Sequence, residues 1–196
     1  MIDRAVASIG AGSDRQVIAA SQLEFEARVL LVNAGGVNAA FAPLDQAVLE
    51  ASLRAVIDQR LALLEADKLD AYPLEPGELE RAIVAFRGRF ESEGRFAEFL
   101  GHHEADLNDL AEVLRRSIRA QRALEGKLRL KAQVSESEAR VYKSEHPEMK
   151  DVPLDQVRAR LVQQRFGELV KKELSDQRRA VDVRLLGPFS PRPGAP

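Results

Sequence analysis

The three histidines and the abundant carboxylates are the residues best suited to hold a metal or to transfer protons. His102 and His103 are adjacent, so on a helix they point about 100° apart and cannot both face one ion. His146 lies near Glu145 and Glu148, but a metal site needs three or four convergent ligands. No carboxylate pair has a setting that would separate two pKa values for general acid and base catalysis. We therefore expect no metal, no cofactor and no catalytic residue, and an enzyme of unknown type remains an alternative.

Two further patterns are candidates for binding phosphates. Gly10 and Gly12 resemble the start of a dinucleotide-binding turn, but Arg15 stands where the third glycine should be. The second half of a long helix is basic and could follow a phosphate backbone. Aromatic residues that stack on bases are not interleaved with it, and cations are favoured toward a helix C-terminus in any case. We expect no nucleic-acid partner for this run, which comprises Arg115, Arg116, Arg119, Arg122, Lys127, Arg129 and Lys131.

The phenylalanines are candidates for contact with apolar polypeptide. Pairs three or four residues apart on a helix lie on one side of it. Core packing is one interpretation, and an apolar groove for non-native segments is the other, because a chaperone needs apolar surface that accepts many sequences. The groove candidates are Phe41 in a loop, Phe86, Phe90, Phe96 and Phe99 on central helices, and Phe166 on the last helix.

Composition limits the kinds of protein that this chain can be. Its 196 residues are 45% hydrophobic, which suits one domain of ordinary core size. Charged residues make up 31% with a net charge of −2, so no overall field attracts nucleic acid or an anionic membrane. There is no cysteine, which excludes disulfides and thiolate zinc sites. No apolar run is long enough to span a bilayer, so we expect no membrane insertion.

The best helical pattern lies over residues 43–68 and should organise the other elements. Leu49, Leu53, Val56, Ile57 and Leu64 line one face at helical spacing. Charged residues at 50, 54, 58 and 60 fall elsewhere, and the stripe must be covered by other elements. A helix of this length runs about 35–40 Å, enough to span a small domain.

The remaining segments predict a mainly helical chain. Residues 2–9 and 16–20 read as two strands joined by a glycine-containing turn. Ser21 and Glu24 form a predicted capping box for a helix that stops at 33–36. A helix is expected from residue 78 through Phe90, and a short one after a break at Gly94. Three more helices are expected over 106–130, 135–146 and 154–177, followed by a strand within 179–187. Residues 188–196 have the composition of a disordered tail.

Several segments together resemble the N-terminal chaperone domain of SurA-like periplasmic folding factors, a group that includes parvulin-type prolyl isomerases. The matching segments are VASIG, QVIAASQLE, LRAVIDQRLALLEADKL, LEPGELERAI, KLRLKAQVSESEARVYKSEHPE and VPLDQVRARLVQQRFGELVKKELSDQRRAVDVRLL. The resemblance implies one SurA-N-like domain over residues 1–187, with an N-terminal part (1–147) and a returning helix and strand (153–187). It also implies that the C-terminal strand joins the N-terminal hairpin in one small antiparallel sheet.

The chain departs from this family in one important respect. In the family an isomerase domain lies between the YKSEHPE segment and the following helix, whereas here only residues 149–152 separate them. Prolyl isomerase activity is therefore not expected. The resemblance implies an ATP-independent periplasmic chaperone for unfolded outer-membrane or secreted proteins. The first residues lack the basic and apolar regions of a signal peptide, which we expect to have been removed.

A second hypothesis is a helical interaction or assembly subunit that binds one specific partner or self-associates. Terminal elements that return to close a small sheet are open to exchange between chains, so a swapped homodimer is part of this hypothesis. A single-partner surface and a promiscuous groove would differ in how many unrelated unfolded peptides they bind.

Overall fold

A computed structural model describes residues 3–190. Over that range the chain forms seven α-helices and one three-stranded sheet, as the sequence predicts. The strands are β1 (Ala5–Ile9), β2 (Gln16–Ala19) and β3 (Val183–Leu185). The helices are α1 (Ala20–Asn33), α2 (Gln46–Lys68), α3 (Glu78–Arg87), α4 (Glu93–His102), α5 (Leu107–Leu128), α6 (Glu136–Glu145) and α7 (Leu154–Ala180).

Helix α2 is the central helix of the fold, as its pattern predicts. Asp45 caps it by accepting a hydrogen bond from the Val48 amide at 2.8 Å. The helix contacts α1, α5 and α7, so it is covered on more than its predicted stripe. Leu53, Val56 and Ile57 pack toward the sheet, while residues of its second half face α5.

The sheet has the order β2-β1-β3, with both pairs antiparallel. Hairpin and C-terminal strand therefore meet as the resemblance implied, although Ile2, the first residue of the predicted strand, lies outside the described residues. Val6, Ala7, Ile9 and Ile18 of the sheet pack with α2 in one core cluster. A second cluster joins α1, α3, α4 and α5, and its centre is a group of aromatic rings.

Some predicted boundaries are wrong. Ser21 does not cap α1, because its hydroxyl and amide both bond the Asp3 carboxylate, which also lowers the pKa of Asp3. Gly94 lies inside α4 and does not break the chain; the break comes earlier, and Ser92 caps α4 through the Arg95 amide at 3.2 Å. Phe90 follows α3 and is not part of it.

The C-terminal end also differs from the prediction of a tail over residues 188–196. A 3₁₀ turn, Gly187–Phe189, follows β3, and Phe189 packs against the cluster around the sheet. Gly187 takes a φ of +58°, which glycine adopts at little cost and which turns the chain back. The prediction of disorder is thus wrong for 188–190, and residues 191–196 lie outside the described residues.

Helices α6 and α7 form a smaller satellite cluster. Val134, Ala139 and Val157 are buried at its centre, with Met149 and Val152 of the connecting turn packed against them. Ser135 and Glu138 make the predicted capping box. The short connection between α6 and α7 is therefore a packed turn with its own apolar contacts.

Candidate functional site

A cavity of about 1030 Å³ lies beside the free edge of the sheet. It is bounded by the N-terminal half of α2, the end of α7, β3 and the turn that follows β3. We call it the sheet-edge cleft. Its apolar floor consists of Leu53, Ile57, Val183, Leu185 and Phe189.

The local sequence explains why this cleft is open. Leu53 and Ile57 of α2 are only 2% and 3% exposed, so they form a solid floor. Val183 and Leu185 alternate with charged residues, and this period of two places both on the face toward α2. β3 has only three residues and no neighbour on its outer side among the described strands, so the layer over α2 ends there.

The outer edge of β3 presents unpaired backbone groups to the cleft. Leu186 donates its N–H to the Val6 carbonyl at 2.8 Å, and Gly10 donates to the Asp182 carbonyl at 2.9 Å. In an antiparallel pair, residues whose N–H and C=O bond the partner strand alternate with residues whose N–H and C=O point away from it. Val183 and Leu185 occupy those positions opposite β1.

Only one of these outward groups is satisfied. Ser190 donates its hydroxyl to the Leu185 carbonyl at 3.0 Å. Within residues 3–190, no partner is found for the N–H and C=O of Val183 or for the N–H of Leu185. The edge therefore retains two donors and one acceptor.

The polar rim of the cleft is already paired internally. Gln46 donates to the Glu50 carboxylate at 3.1 Å, and Arg54 donates through Nε to the Glu50 carbonyl at 3.3 Å. Arg178 bonds the carboxylate of Asp58 at 2.6 and 3.0 Å, where burial raises the pKa of Asp58 against the pull of that arginine. A charged ligand would have to displace these contacts, whereas apolar side chains fit the floor without loss.

A second opening lies between the end of α5 and the N-terminal half of α7. This α5–α7 cleft has a volume of about 650 Å³ and is lined by Ala132, Val162 and Phe166 among others. Only Val157 is buried in the 27 residues of α7. The apolar stripe of this helix is therefore only partly covered by the rest of the chain.

The six predicted groove phenylalanines divide between the core and the surface. Phe86 and Phe99 are fully buried, and Phe90 and Phe96 are 8% and 6% exposed. Their rings pack together with centroids 5.3–6.4 Å apart, because the turn between α3 and α4 brings the two pairs face to face. Phe86, Phe96 and Phe99 therefore belong to the core, while Phe90 also lines a cavity of about 430 Å³ between the end of α3 and the start of α4.

The other two phenylalanines are partly exposed. Phe41 lies under the guanidinium of Arg95, 4.2 Å from the ring centroid, and edge-on to Phe99. Phe166 lines the α5–α7 cleft. The cleft residues that the sequence did not single out are Val183, Leu185 and Phe189, and the available signal was an aromatic residue placed directly after an alternating strand.

The histidines occupy two settings, because His102 and His103 pack edge-on with ring centroids 4.8 Å apart while His146 lies elsewhere. His103 lies 3.0 Å from the Ala40 carbonyl through Nε2, and burial lowers its pKa. His102 packs edge-on against Phe41, and His146 stacks on Tyr142 with a centroid separation of 3.9 Å. In the part of the chain that the structure describes, no cluster of three potential ligands is placed to hold a metal.

Three cations of the basic run form ion pairs between α5 and other parts of the chain. Arg122 bonds both carboxylate oxygens of Glu78 at 2.7 and 2.8 Å, and Arg119 reaches Asp67 at 2.7 Å. Lys127 bridges Glu65 on α2 and Glu173 on α7. Arg119, Arg122 and Lys127 therefore join α5 to its neighbours and have a structural role.

A buried group of three charged side chains lies where α1, α2 and α5 meet. Glu26 of α1 is 1% exposed and lies between Arg60 of α2, at 3.7 Å, and Arg116 of α5. Neither carboxylate oxygen of Glu26 meets hydrogen-bond geometry with a partner in the described chain. Placing Arg60 outside the buried face of α2 was wrong, since its stem and head are enclosed between three helices.

Comparison with known proteins adds no family to this description. None of the protein-family models matches the chain, and none of the curated proteins is significantly similar to it. No helix among residues 3–190 is both long and apolar enough to cross a membrane.

Proposed function

We propose that this protein is an ATP-independent chaperone that holds unfolded outer-membrane or secreted polypeptides. The observation that carries the proposal is the sheet-edge cleft, where an apolar floor lies open beside unpaired strand backbone. Unfolded chains share apolar side chains and extended backbone, and these are the two features that the cleft complements.

The resemblance to SurA-like domains supports the same function and suggests the periplasm as its compartment. The α6–α7 junction, where the family carries an isomerase domain, is a short packed turn in this chain. We therefore propose holding activity without prolyl isomerisation.

The mechanism is reversible binding governed by mass action. Binding of an apolar segment lowers the free concentration of the unfolded client, and so slows its aggregation without any energy source. The α5–α7 cleft offers a second contact through Phe166, and two weak contacts on one chain give greater avidity than either alone.

Light scattering of an unfolded porin-type client, diluted from urea, tests the proposal. We expect the protein at several-fold excess to suppress aggregation, and Phe189→Asp and Phe166→Asp to weaken suppression. Leu130→Asp is the matched control, because Leu130 is 84% exposed and lines neither cleft. Circular dichroism checks that each variant is folded. Absence of suppression by the wild-type protein would refute the function.

An assembly subunit that binds one specific partner or a second copy of itself is the alternative. The observation in its favour is the terminal strand β3, which closes the sheet from the far end of the chain and is open to exchange. Size-exclusion chromatography with light scattering would detect a dimer, and binding to only one of many unrelated peptides would favour a single partner.

A further inference from the structure

We propose that an extended client segment binds by adding as a fourth strand to the outer edge of β3, with alternate apolar side chains entering the sheet-edge cleft. The inference rests on the proposed function and specifies its binding mode. It predicts that recognition is shared between client backbone and client side chains.

The first argument is the hydrogen-bonding pattern at the edge. Val183 points both N–H and C=O outward, and Leu185 still has its N–H free within residues 3–190. These groups are two residues apart on one strand, which is the spacing that a neighbouring strand satisfies. A helix docked in the same cleft would leave them unpaired, because its own backbone is already bonded internally.

The second argument is the position of the cavity relative to that edge. Val183 and Leu185 face the cleft, and residues directly opposite them on an added strand would face it too. The volume of about 1030 Å³ is at the upper end of ordinary ligand sites, which span roughly 300–1,000 Å³. It can therefore accept side chains from more than one residue of the added strand.

The third argument is charge. Arg178 is neutralised by Asp58, and Glu50 and Arg54 on the rim oppose each other in sign. The charges of these four residues around the cleft consequently sum to zero. The inward residues of the bound segment should be uncharged and apolar, and binding should depend little on salt.

Short synthetic peptides give a direct test of this mode. The probe is a fluorescein-labelled octapeptide that alternates valine and threonine, measured by anisotropy against the full chain. Two methylated versions carry backbone N-methyl groups either on all valines or on all threonines. Both keep every side chain, so they differ only in which N–H groups can reach β3.

We expect one methylated peptide to lose about fivefold in affinity while the other stays near the parent, because the Val183 carbonyl is the one free acceptor of the edge within residues 3–190 and a lost hydrogen bond is worth about 1 kcal/mol. For an antiparallel addition the sensitive pattern is the valine one, since residues opposite Val183 and Leu185 use their own N–H groups. Sensitivity to the threonine pattern alone would also support strand addition, in the parallel direction.

A protein variant tests the same contact from the other side. Val183→Pro removes one outward N–H without touching a bond to β1, and we expect about fivefold weaker peptide binding. Val183→Ala is the matched control, because it shortens the side chain and keeps the N–H. Circular dichroism confirms the fold, and the peptide pair remains decisive if the proline variant unfolds.

Equal affinities for the two methylated peptides would overturn strand addition while leaving the chaperone proposal intact. Failure of all three peptides and of the unfolded porin to bind would overturn both. A dimer in light scattering that the parent peptide dissociates would show that a second copy of the chain occupies the edge, and would overturn the assignment to client.

Discussion

Replacing Glu26 by Gln should destabilise the protein strongly, because this carboxylate is the only negative charge in a buried group with two arginines. Arg60 and Arg116 have side chains that are 9% and 17% exposed, and both contact Glu26. Burial and the neighbouring Arg116 lower the pKa of Arg60, and Glu26 opposes that shift. The Gln variant keeps the shape of the side chain and removes only its charge.

The expected loss is about 3 kcal/mol, at the lower end of the roughly 3–5 kcal/mol for breaking a buried ion pair, because Arg116 keeps partial contact with solvent. This is a large part of the roughly 5–15 kcal/mol by which natural proteins are stable. Urea unfolding followed by circular dichroism at pH 7 measures it, with an unchanged slope showing that the unfolded surface is the same.

Glu112→Gln is the matched control on the neighbouring helix. Its partner Arg115 and Glu112 itself are 41% and 65% exposed, so the loss should stay below about 0.5 kcal/mol. A Glu26→Gln protein within 1 kcal/mol of wild type would refute the electrostatic reasoning. Replacing all three buried residues by Leu and Met should recover much of the loss, since apolar packing often replaces a buried ion group at no net cost.

Three further predictions concern other parts of the chain. Gly167→Ala should stabilise the protein by about 0.5–1 kcal/mol, because a Cβ there meets nothing within 4 Å. Gly126→Ala should not stabilise it, because its Cβ would lie 2.8 Å from the Tyr72 ring, and thermal unfolding of the two variants tests the difference. Arg122→Ala should cost about 1–3 kcal/mol through its bonds to Glu78 and the Pro73 carbonyl, while Arg119→Lys, which keeps the charge next to Asp67, should cost less in urea unfolding. The Ser135 cap and Arg165 lower the pKa of Glu138 from 4.5 to about 2, so the stabilisation by this carboxylate is complete above pH 4.5 and is lost as pH falls toward 2. Over that window the urea midpoint of the wild-type protein should fall more than that of Glu138→Gln. Parallel curves for the two proteins would contradict this prediction.

Local pattern was enough to predict most elements of the fold. The stripe of α2, the hairpin and the capping box of α6 each depend on residues close in sequence, and the structure has all three. Ser21 shows the limit of this reasoning, because a carboxylate 18 positions away, Asp3, takes the hydrogen bonds that a local cap would have made.

The candidate site was harder to predict because it depends on contacts between distant elements. Phe86 with Phe90, and Phe96 with Phe99, have the spacing that puts two rings on one side of a helix. The contacts between the two pairs nevertheless bury all four rings. Nothing in the local sequence around Arg60 indicates that its side chain is buried. Its burial depends on the packing of α1 and α5 against α2. The cleft at β3 exists because the strand ends after three residues, and no helical or strand period encodes that gap.

The pairing of Ala7 with Leu185 has a consequence for synthesis of the chain. A ribosome or a translocation channel delivers the hairpin before helices α1 to α7 and β3 after them, so the hairpin must wait for all of these helices before its third strand arrives. An isolated hairpin is marginally stable, and the closing contact spans a very long loop. We expect the sheet to be the last part of the protein to become protected from hydrogen exchange, and the nascent chain to need protection from aggregation until then.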